Sequence, residues 1–372
     1  MKEFCARFGI GEAELLATVA RDLERIPFAA GREFAIAPIP GGASNRGYCR
    51  ITPAGAERGV VLMVLSDPEP ARGLKEVMAT GVIKELPFIN VHRHLQAASV
   101  PVPEIFLYNP DRGLIYLQDC GKVHLRHLLE AGRDQARMGF EAAIVELVRI
   151  HIDASRRPND NLLSFKAGFD RQLLRWELDH FTEFAIQARF PGSPSAADLA
   201  RIGEIFESII DEILAEPNIL CHRDFMLDNL LWRDGRMWVL DFQDALMGPP
   251  AYDLACLLHD RDTGPLLGPD LIRHLIGYYA GRHEERSGEK LDRARFQRNF
   301  ELCAIHRLLK VVGRFHFIDR VKKRPEYLRF IPCMLPAIVD YLGRSERDRE
   351  LLGIIGKYLP EVRELAEGES KK

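Results

Sequence analysis

Long hydrophobic runs are missing from this 372-residue sequence: the longest uninterrupted apolar stretch is Val60 to Leu65, far short of the roughly 20 residues a membrane-spanning helix needs. The opening residues, Met1-Lys2-Glu3-Phe4-Cys5-Ala6-Arg7, contain no apolar signal segment, so a cytoplasmic protein is expected. Cysteine is scarce and unpatterned. The seven present are odd in number and form no C-x-x-C pair or His/Cys cluster, which argues against a disulfide framework or a zinc site and predicts reduced thiols that serve packing. A basic excess is also lacking: the formal net charge is -3, leaving no global field for nucleic acid. Neither nucleic acid, a membrane nor an obligate protein partner is expected. The chain carries no internal repeat or low-complexity tract. What is there, 47% hydrophobic and 28% charged residues, suits a globular protein with a large core divided into two lobes.

Periodicity fills in those lobes. Helical apolar spacing runs from Glu12 to Arg25, and strand-like stretches cover Phe34 to Ile39, Tyr48 to Ile51, Gly59 to Leu65 and Leu114 to Gln118. Between the first two strands, Pro40-Gly41-Gly42-Ala43-Ser44-Asn45-Arg46-Gly47 reads as a glycine-rich hairpin tip. Small residues there let backbone N–H groups approach phosphate oxygens. From His124 onward the pattern is helical: Leu125 to Glu130, Gly139 to Asp153, Phe169 to Ile186, and, after Pro191-Gly192-Ser193-Pro194, Ala196 to Glu216. His151 on the long apolar helix reads as a satisfied core histidine. The expected fold is α+β, with a small antiparallel β-rich lobe over residues 1–120, a larger, mainly helical lobe over 121–366, and a polar, fraying tail at 367–372.

The chemistry-bearing segment is His222-Arg223-Asp224-Phe225-Met226-Leu227-Asp228-Asn229, with Asp241-Phe242-Gln243-Asp244 following after a short interval. Between them, Leu230-Leu231-Trp232 and Met237-Trp238-Val239-Leu240 are β-prone, and Arg233-Asp234-Gly235-Arg236 carries the Asp-Gly pair of a tight turn. That hairpin holds Asn229 and Asp241 at its two ends. Phosphoryl transfer needs little covalent chemistry from a protein. It needs a carboxylate to accept the acceptor's proton and hard oxygen ligands for a metal on the phosphates. Asp224 is therefore the candidate catalytic base, and Asn229 and Asp241 are the candidate magnesium ligands, with ATP as the phosphoryl donor.

These residues resemble the aminoglycoside phosphotransferase and choline kinase superfamily, relatives of the protein kinases. Gly248-Pro249-Pro250-Ala251-Tyr252-Asp253-Leu254-Ala255 is similar to its G-x-P-x-Y-D-L-A segment, which implies that Asp253, with His222, braces the catalytic loop. So short a path from Asp241 to Asp253 leaves no room for a polypeptide-docking activation segment, and the acceptor is expected to be a small molecule. The resemblance places the adenine edge against backbone groups near Gln118, Asp119 and Cys120, and the phosphates against Ser44, Asn45 and Arg46. It places the acceptor near Asp244, Asp260 and Asp262. One departure stands out: Met63 occupies the strand position that holds a phosphate-pairing lysine in kinases. Arg46 is the best-placed substitute, ahead of Lys75 and Lys84, and the helix near Pro87 to Ala98 offers no partner acid.

That missing lysine, the D-F-Q-D-A-x-x-G-P segment beginning at Asp241, and the helix containing His306-Arg307-Leu308-Leu309-Lys310 look like one branch, the anomeric N-acetylmuramate/N-acetylglucosamine kinases of bacterial cell-wall recycling. The branch implies ATP-dependent phosphorylation of a sugar at its C1 hydroxyl. Residues 306 to 330 hold eight Lys/Arg against Asp319 and Glu326, a balance that suits a neutral or carboxylate-bearing sugar better than a cationic aminoglycoside. Two alternatives stay open: a kinase for another small alcohol, and a nucleotide-binding pseudokinase acting as an interaction module.

Overall fold

The computed structural model describes residues 1–40, 46–65, 85–190 and 194–369. Ser44, Asn45, Lys75 and Lys84 fall outside that set. The chain divides into two compact units, each discontinuous in sequence. One comprises Met1–Pro70, Pro101–Lys122 and Leu231–Leu240; the other comprises Ala71–Val100, Val123–Leu230 and Asp241–Lys372.

The first unit is built on an antiparallel five-stranded sheet in the order β1-β2-β3-β5-β4. Its strands are β1 (Phe34–Ile39), β2 (Arg46–Pro53), β3 (Val60–Leu65), β4 (Ile105–Asn109) and β5 (Leu114–Gln118). Alternation assigns the faces. Register sets Cys49 opposite Leu62, which faces Tyr116, and Ile51 opposite Val60. These residues are fully buried against Leu15, Val19 and Leu23 of helix α2 (Glu12–Leu23), which follows α1 (Lys2–Arg7). The other face carries Arg46, Tyr48 and Arg50 on β2, Val61, Met63 and Leu65 on β3, and Ile115 and Leu117 on β5. Met63 is buried there. The hairpin of β7 (Leu230–Arg233) and β8 (Arg236–Val239) turns where expected. Asp234 at φ 54° and Gly235 at φ 76° supply the two positive φ angles of a type I′ turn.

The second unit is mainly helical. It comprises α3 (Pro87–Ala97), α4 (Leu125–Glu130), α5 (Arg133–Arg149), α6 (Arg171–His180), α7 (Ala196–Leu214), α8 (Ala251–Leu258), α9 (Thr263–Ser287), α10 (Arg293–Lys322), α11 (Ile331–Leu342), α12 (Glu346–Tyr358) and α13 (Pro360–Glu369). A two-stranded pair, β6 (Ile219–Cys221) with β9 (Leu246–Gly248), lies among them. The last helix extends into the polar tail as far as Glu369. Wide-turn π-helical segments continue α5 through Ile150–Ala154 and α6 through Phe181–Gln187. Helix α9 is broken at Gly268 (φ 73°) before Pro269, whose ring cannot continue the hydrogen-bond ladder. No described helix is long and apolar enough to cross a membrane.

Helix α10 is seated against α6 and its continuation by a ladder of contacts on one face. His306 Nε2 lies 3.2 Å from the Leu174 carbonyl oxygen, and Lys310 Nζ donates to Glu177 Oε1 at 2.6 Å. One turn further on, a Cβ built at Gly313 would lie 2.4 Å from the Phe181 nitrogen and 2.5 Å from the His180 carbonyl carbon. Those are backbone atoms that cannot swing aside, so glycine is required for this approach. Gly313→Ala is therefore expected to lower the unfolding free energy by about 1–3 kcal/mol through overpacking, read as a lower urea midpoint at unchanged slope.

Candidate active site

The loop after β6 is fixed from below by one buried carboxylate. Asp253, fully buried in the first turn of α8, accepts the His222 N–H at 2.6 Å and the Arg223 N–H at 2.8 Å. His151 Nε2 lies 3.2 Å from its Oδ2, and His151 Nδ1 lies 2.7 Å from the Tyr279 hydroxyl. The core histidine of the sequence reading is thus part of the brace. These contacts hold Arg223 at φ 76°, an unusual angle for a side chain of that size. His151, Cys221 and Asp253 are close enough to ligate a metal. Each is already in a hydrogen bond, Cys221 donating to the Pro249 carbonyl at 3.4 Å, and the cluster reads as a support. All seven cysteines are free and six are buried.

Beyond the brace the loop folds on itself. The Asp224 carbonyl accepts both the Met226 N–H and Asn229 Nδ2 at 2.9 Å. That bond commits Nδ2 and leaves Oδ1 as the acceptor atom of the Asn229 side chain. The Asp224 side chain is 39% exposed and its Oδ1 accepts from Arg307 Nη1 at 3.2 Å. Burial pushes this carboxyl up, but the charges of Arg307, Lys310 and Arg223 outweigh it and bring the pKa down to about 2. Beneath lies Glu177, buried and ringed by Lys310 at 2.6 Å, Arg223 at 3.5 Å and His306 at 3.8 Å. Burial opposes ionisation of Glu177, yet those cations hold it below its usual range. Burial holds Lys310 below its own, with Arg307 and Arg223 adding to the effect.

Asp241 adopts φ 59° and leads a short turn, Phe242–Asp244. The buried Gln243 amide donates to Asp241 Oδ1 at 3.1 Å and to Asp244 Oδ2 at 2.8 Å, tying the two carboxylates together. Its Oε1 is buried without a hydrogen-bond partner among the described residues. Asp241 and Asp244, with the orphaned Gln243 amide oxygen beside them, offer oxygen donors of the kind a hard divalent cation takes. Phe242 anchors the turn by stacking on Phe88 at 4.9 Å.

Asp260 and Asp262 are committed elsewhere. Arg261 donates to Asp260 Oδ2 at 3.0 and 2.8 Å and to Asp228 Oδ2 at 2.5 Å, and Arg126 pairs with Asp262 at 3.0 Å. Both aspartates belong to an arginine-linked lattice that ties the 259–262 loop to the catalytic loop through Asp228. A cavity of about 630 Å³ is lined by His259, Pro265, Ile272, Glu301, Tyr341 and Arg344, among others. Its polar groups are already paired: His259 with the Tyr341 hydroxyl at 2.8 Å, and Glu301 with Gln297 at 2.9 Å and with Arg344. None of Asp224, Asn229 and Asp241 lines it.

In the first unit, Asp119 is held by Arg50, whose Nε donates to Oδ2 at 2.6 Å and whose Nη2 donates to Oδ1 at 3.2 Å. The Asp119 backbone is occupied too: its N–H donates to Gly59 and its carbonyl accepts from Arg233. The Gln118 N–H donates to Glu104 at 2.8 Å. Of the three residues expected at the adenine edge, Cys120 is the one whose backbone groups have no partner among the described residues. Its thiol is buried and pushed up to about 12.

Comparison with known proteins places this geometry. Residues 35–287 match the model of the phosphotransferase enzyme family, and an N-acetylmuramate/N-acetylglucosamine kinase of Caulobacter vibrioides is 32% identical over 279 residues, 72% of each chain. The chain belongs to the phosphotransferase enzyme family. Kinases of the same name from Pseudomonas putida (29% identity; 73% of this chain, 77% of that one) and Pseudomonas aeruginosa (28%; 89% of each) are also similar. Among solved structures, a choline/ethanolamine kinase family protein from Mesorhizobium loti superposes with TM-score 0.58 at 15% identity, covering 91% of this chain and 99% of that one. A spectinomycin phosphotransferase bound to ADP and spectinomycin gives TM-score 0.56 at 13% identity, covering 85% and 93%. The fold of this phosphotransferase is theirs, as its α+β architecture predicts.

The sequence reading missed Gln243 as a clasp, Glu177 as the hub of the buried cations, Arg50 as the partner of Asp119, and Arg307 as the partner of Asp224. Gln243 and Arg307 sit inside motifs that could have flagged them; Glu177 and Arg50 do not. The Glu177 cluster also sets an acid sensitivity. A carboxyl depressed in the folded state stabilises it above the unfolded pKa, and that contribution is lost as pH falls through the folded value. Glu177→Gln is expected to destabilise by roughly 3 kcal/mol at neutral pH by leaving buried cations uncompensated. Urea titrations over a pH series should show this gap narrowing below about pH 4.

Proposed function

We propose that the protein transfers the γ-phosphoryl group of ATP to the anomeric hydroxyl of an N-acetylated hexosamine of the N-acetylmuramate/N-acetylglucosamine class. Asp224 orients the acceptor, Asn229 and Asp241 hold magnesium, and Arg46 and the backbone at Cys120 contribute to the nucleotide site. The observation that carries the reading is the catalytic-loop geometry, in which a hydrogen-bonded Asp224–Asn229 turn is braced by Asp253. The similarity to sugar kinases along most of the chain supplies the acceptor class.

The low pKa of Asp224 bears on mechanism. So weak a base cannot take a proton from an alcohol before reaction, but it can accept the hydrogen bond that aims the oxygen. It can then take the proton late, as the bond to phosphorus forms through a loose transition state. A hemiacetal hydroxyl is more acidic than an ordinary alcohol and suits such a base. A bound magnesium ion would neutralise charge on the phosphates. Arg223, Arg307 and Lys310 share this region with the carboxylates Asp224, Glu177, Asp244, Asp253 and Asp260, so the acceptor class rests on the similarity to sugar kinases. On β2, Arg46 shares the sheet face of Met63, and a guanidinium there can fork two phosphate oxygens.

With ATP and magnesium, free N-acetylhexosamines are expected to be phosphorylated while their 1-O-methyl glycosides are not, because the blocked oxygen cannot attack. Equal turnover of both, measured by ADP release, would refute the C1 assignment. Asp224→Asn is expected to cut kcat by roughly a hundredfold to ten-thousandfold with ATP affinity preserved. Asp241→Ala and Arg46→Ala should instead raise the KM for ATP. Steady-state kinetics of the three variants separate these roles, and near-normal turnover of Asp224→Asn would remove Asp224 from the chemistry.

A further inference from the structure

We propose that Arg307 is a positioning residue for phosphoryl transfer: its guanidinium fixes the rotation of the Asp224 carboxylate so that Oδ2 is presented to the acceptor hydroxyl. The inference rests on the reading of Asp224 as the acceptor-orienting group. The loop fixes the backbone of Asp224 through its carbonyl, which accepts from Met226 and Asn229, but neither bond touches the side chain. A terminal carboxylate torsion is broad, so an otherwise unheld group would sweep its lone pairs through a range of directions. Among the described residues, the carboxylate's hydrogen-bond partner is Arg307, at 3.2 Å on Oδ1. With Oδ1 taken, Oδ2 is the oxygen left to receive a proton.

Arg307 is itself held firmly. It is 4% exposed and lies in the interior of α10, between His306 on the Leu174 carbonyl and Lys310 on Glu177. The contact at Gly313 fixes the depth of the helix. Its Nε is buried without a partner among the described residues, an arrangement that costs stability. A core built for stability alone would satisfy that donor or place an apolar side chain here. Keeping an imperfectly satisfied guanidinium in contact with the catalytic carboxylate points to a role in reaction geometry.

A residue that acts through another loses its effect when the other is removed. In wild-type background, Arg307→Ala is expected to lower kcat on the acceptor sugar roughly ten- to hundredfold, the scale of a small misplacement of a reacting group, with the KM for ATP changed less than about twofold. In the Asp224→Ala background the same substitution should change the residual rate less than about threefold. Guanidinium ion added to Arg307→Ala should restore part of kcat and should restore none in Asp224→Ala. Equal losses in both backgrounds, or a wild-type kcat for Arg307→Ala, would overturn the proposal. Should Arg307→Ala not fold, Arg307→Lys keeps the charge but shortens and blunts the donor. A folded Arg307→Lys with at least a tenfold lower kcat supports fixed geometry, and one with wild-type kcat overturns it. Absence of wild-type turnover on any hexosamine counts against the acceptor assignment, whereas wild-type turnover with an unaffected variant counts against Arg307 alone.

Discussion

The buried carboxylate of Asp253 is the constraint on which the catalytic loop depends. Two consecutive backbone N–H groups, from His222 and Arg223, point into the protein and would be orphaned without an acceptor. Asp253 accepts both, and its position in the first turn of α8 adds the favourable end of a helix dipole. A neutral amide in its place would turn an N–H toward one of those donors. Because the two bonds hold Arg223 at positive φ, they also set the direction in which the chain leaves β6, and therefore where Asp224 and Asn229 begin. His151 and Tyr279 extend the same network into the core, so the loop is tied to α5 and α9 rather than to a surface turn.

On that frame sits an electrostatic arrangement of interleaved cations and carboxylates. Three basic side chains lie around Asp224 and Glu177 and lower both carboxyls against the effect of burial, whereas Lys310 is lowered chiefly by its own burial, with Arg307 and Arg223 adding to it. The cost of burying these charges is tolerable only because each is paired and because α10 is locked at close range by Gly313. The packing of one helix and the ionisation of Asp224 are thus a single problem. A displacement of α10 away from α6 would weaken the Lys310–Glu177 pair and the Arg307–Asp224 contact together.

Local chemistry was legible in the sequence; long-range pairing was not. The bounds of β1 and β3, the turn at Asp234-Gly235, and the grouping of Asp224 with Asn229 follow from alternation, turn residues and short spacing, all of which act over a few positions. Arg307 and Asp224 are 83 positions apart, and Lys310 and Glu177 are 133 apart; no periodicity links such pairs, and only the docking of α10 brings them together. The same limit explains Asp260 and Asp262. The family resemblance places them near the acceptor, while their ion pairs with Arg261 and Arg126 are visible only in the fold. The excess of basic residues in the 306–330 segment was visible, but which of them were interior was not: Arg307 and Lys310 face the site, while Arg324 pairs with Glu326 at the surface.

The lysine-free strand can be understood in the same terms. On the sheet face that holds Met63, the guanidinium of Arg50 is drawn to Asp119 and the Gly121 carbonyl, so its charge is spent on fixing the chain just after β5. Met63 has no charge to offer and is buried. Arg46, at the start of β2, lies on the same face and directly follows the glycine-rich segment. The helix Pro87–Ala97 contains no acidic residue, as expected if no lysine there requires one.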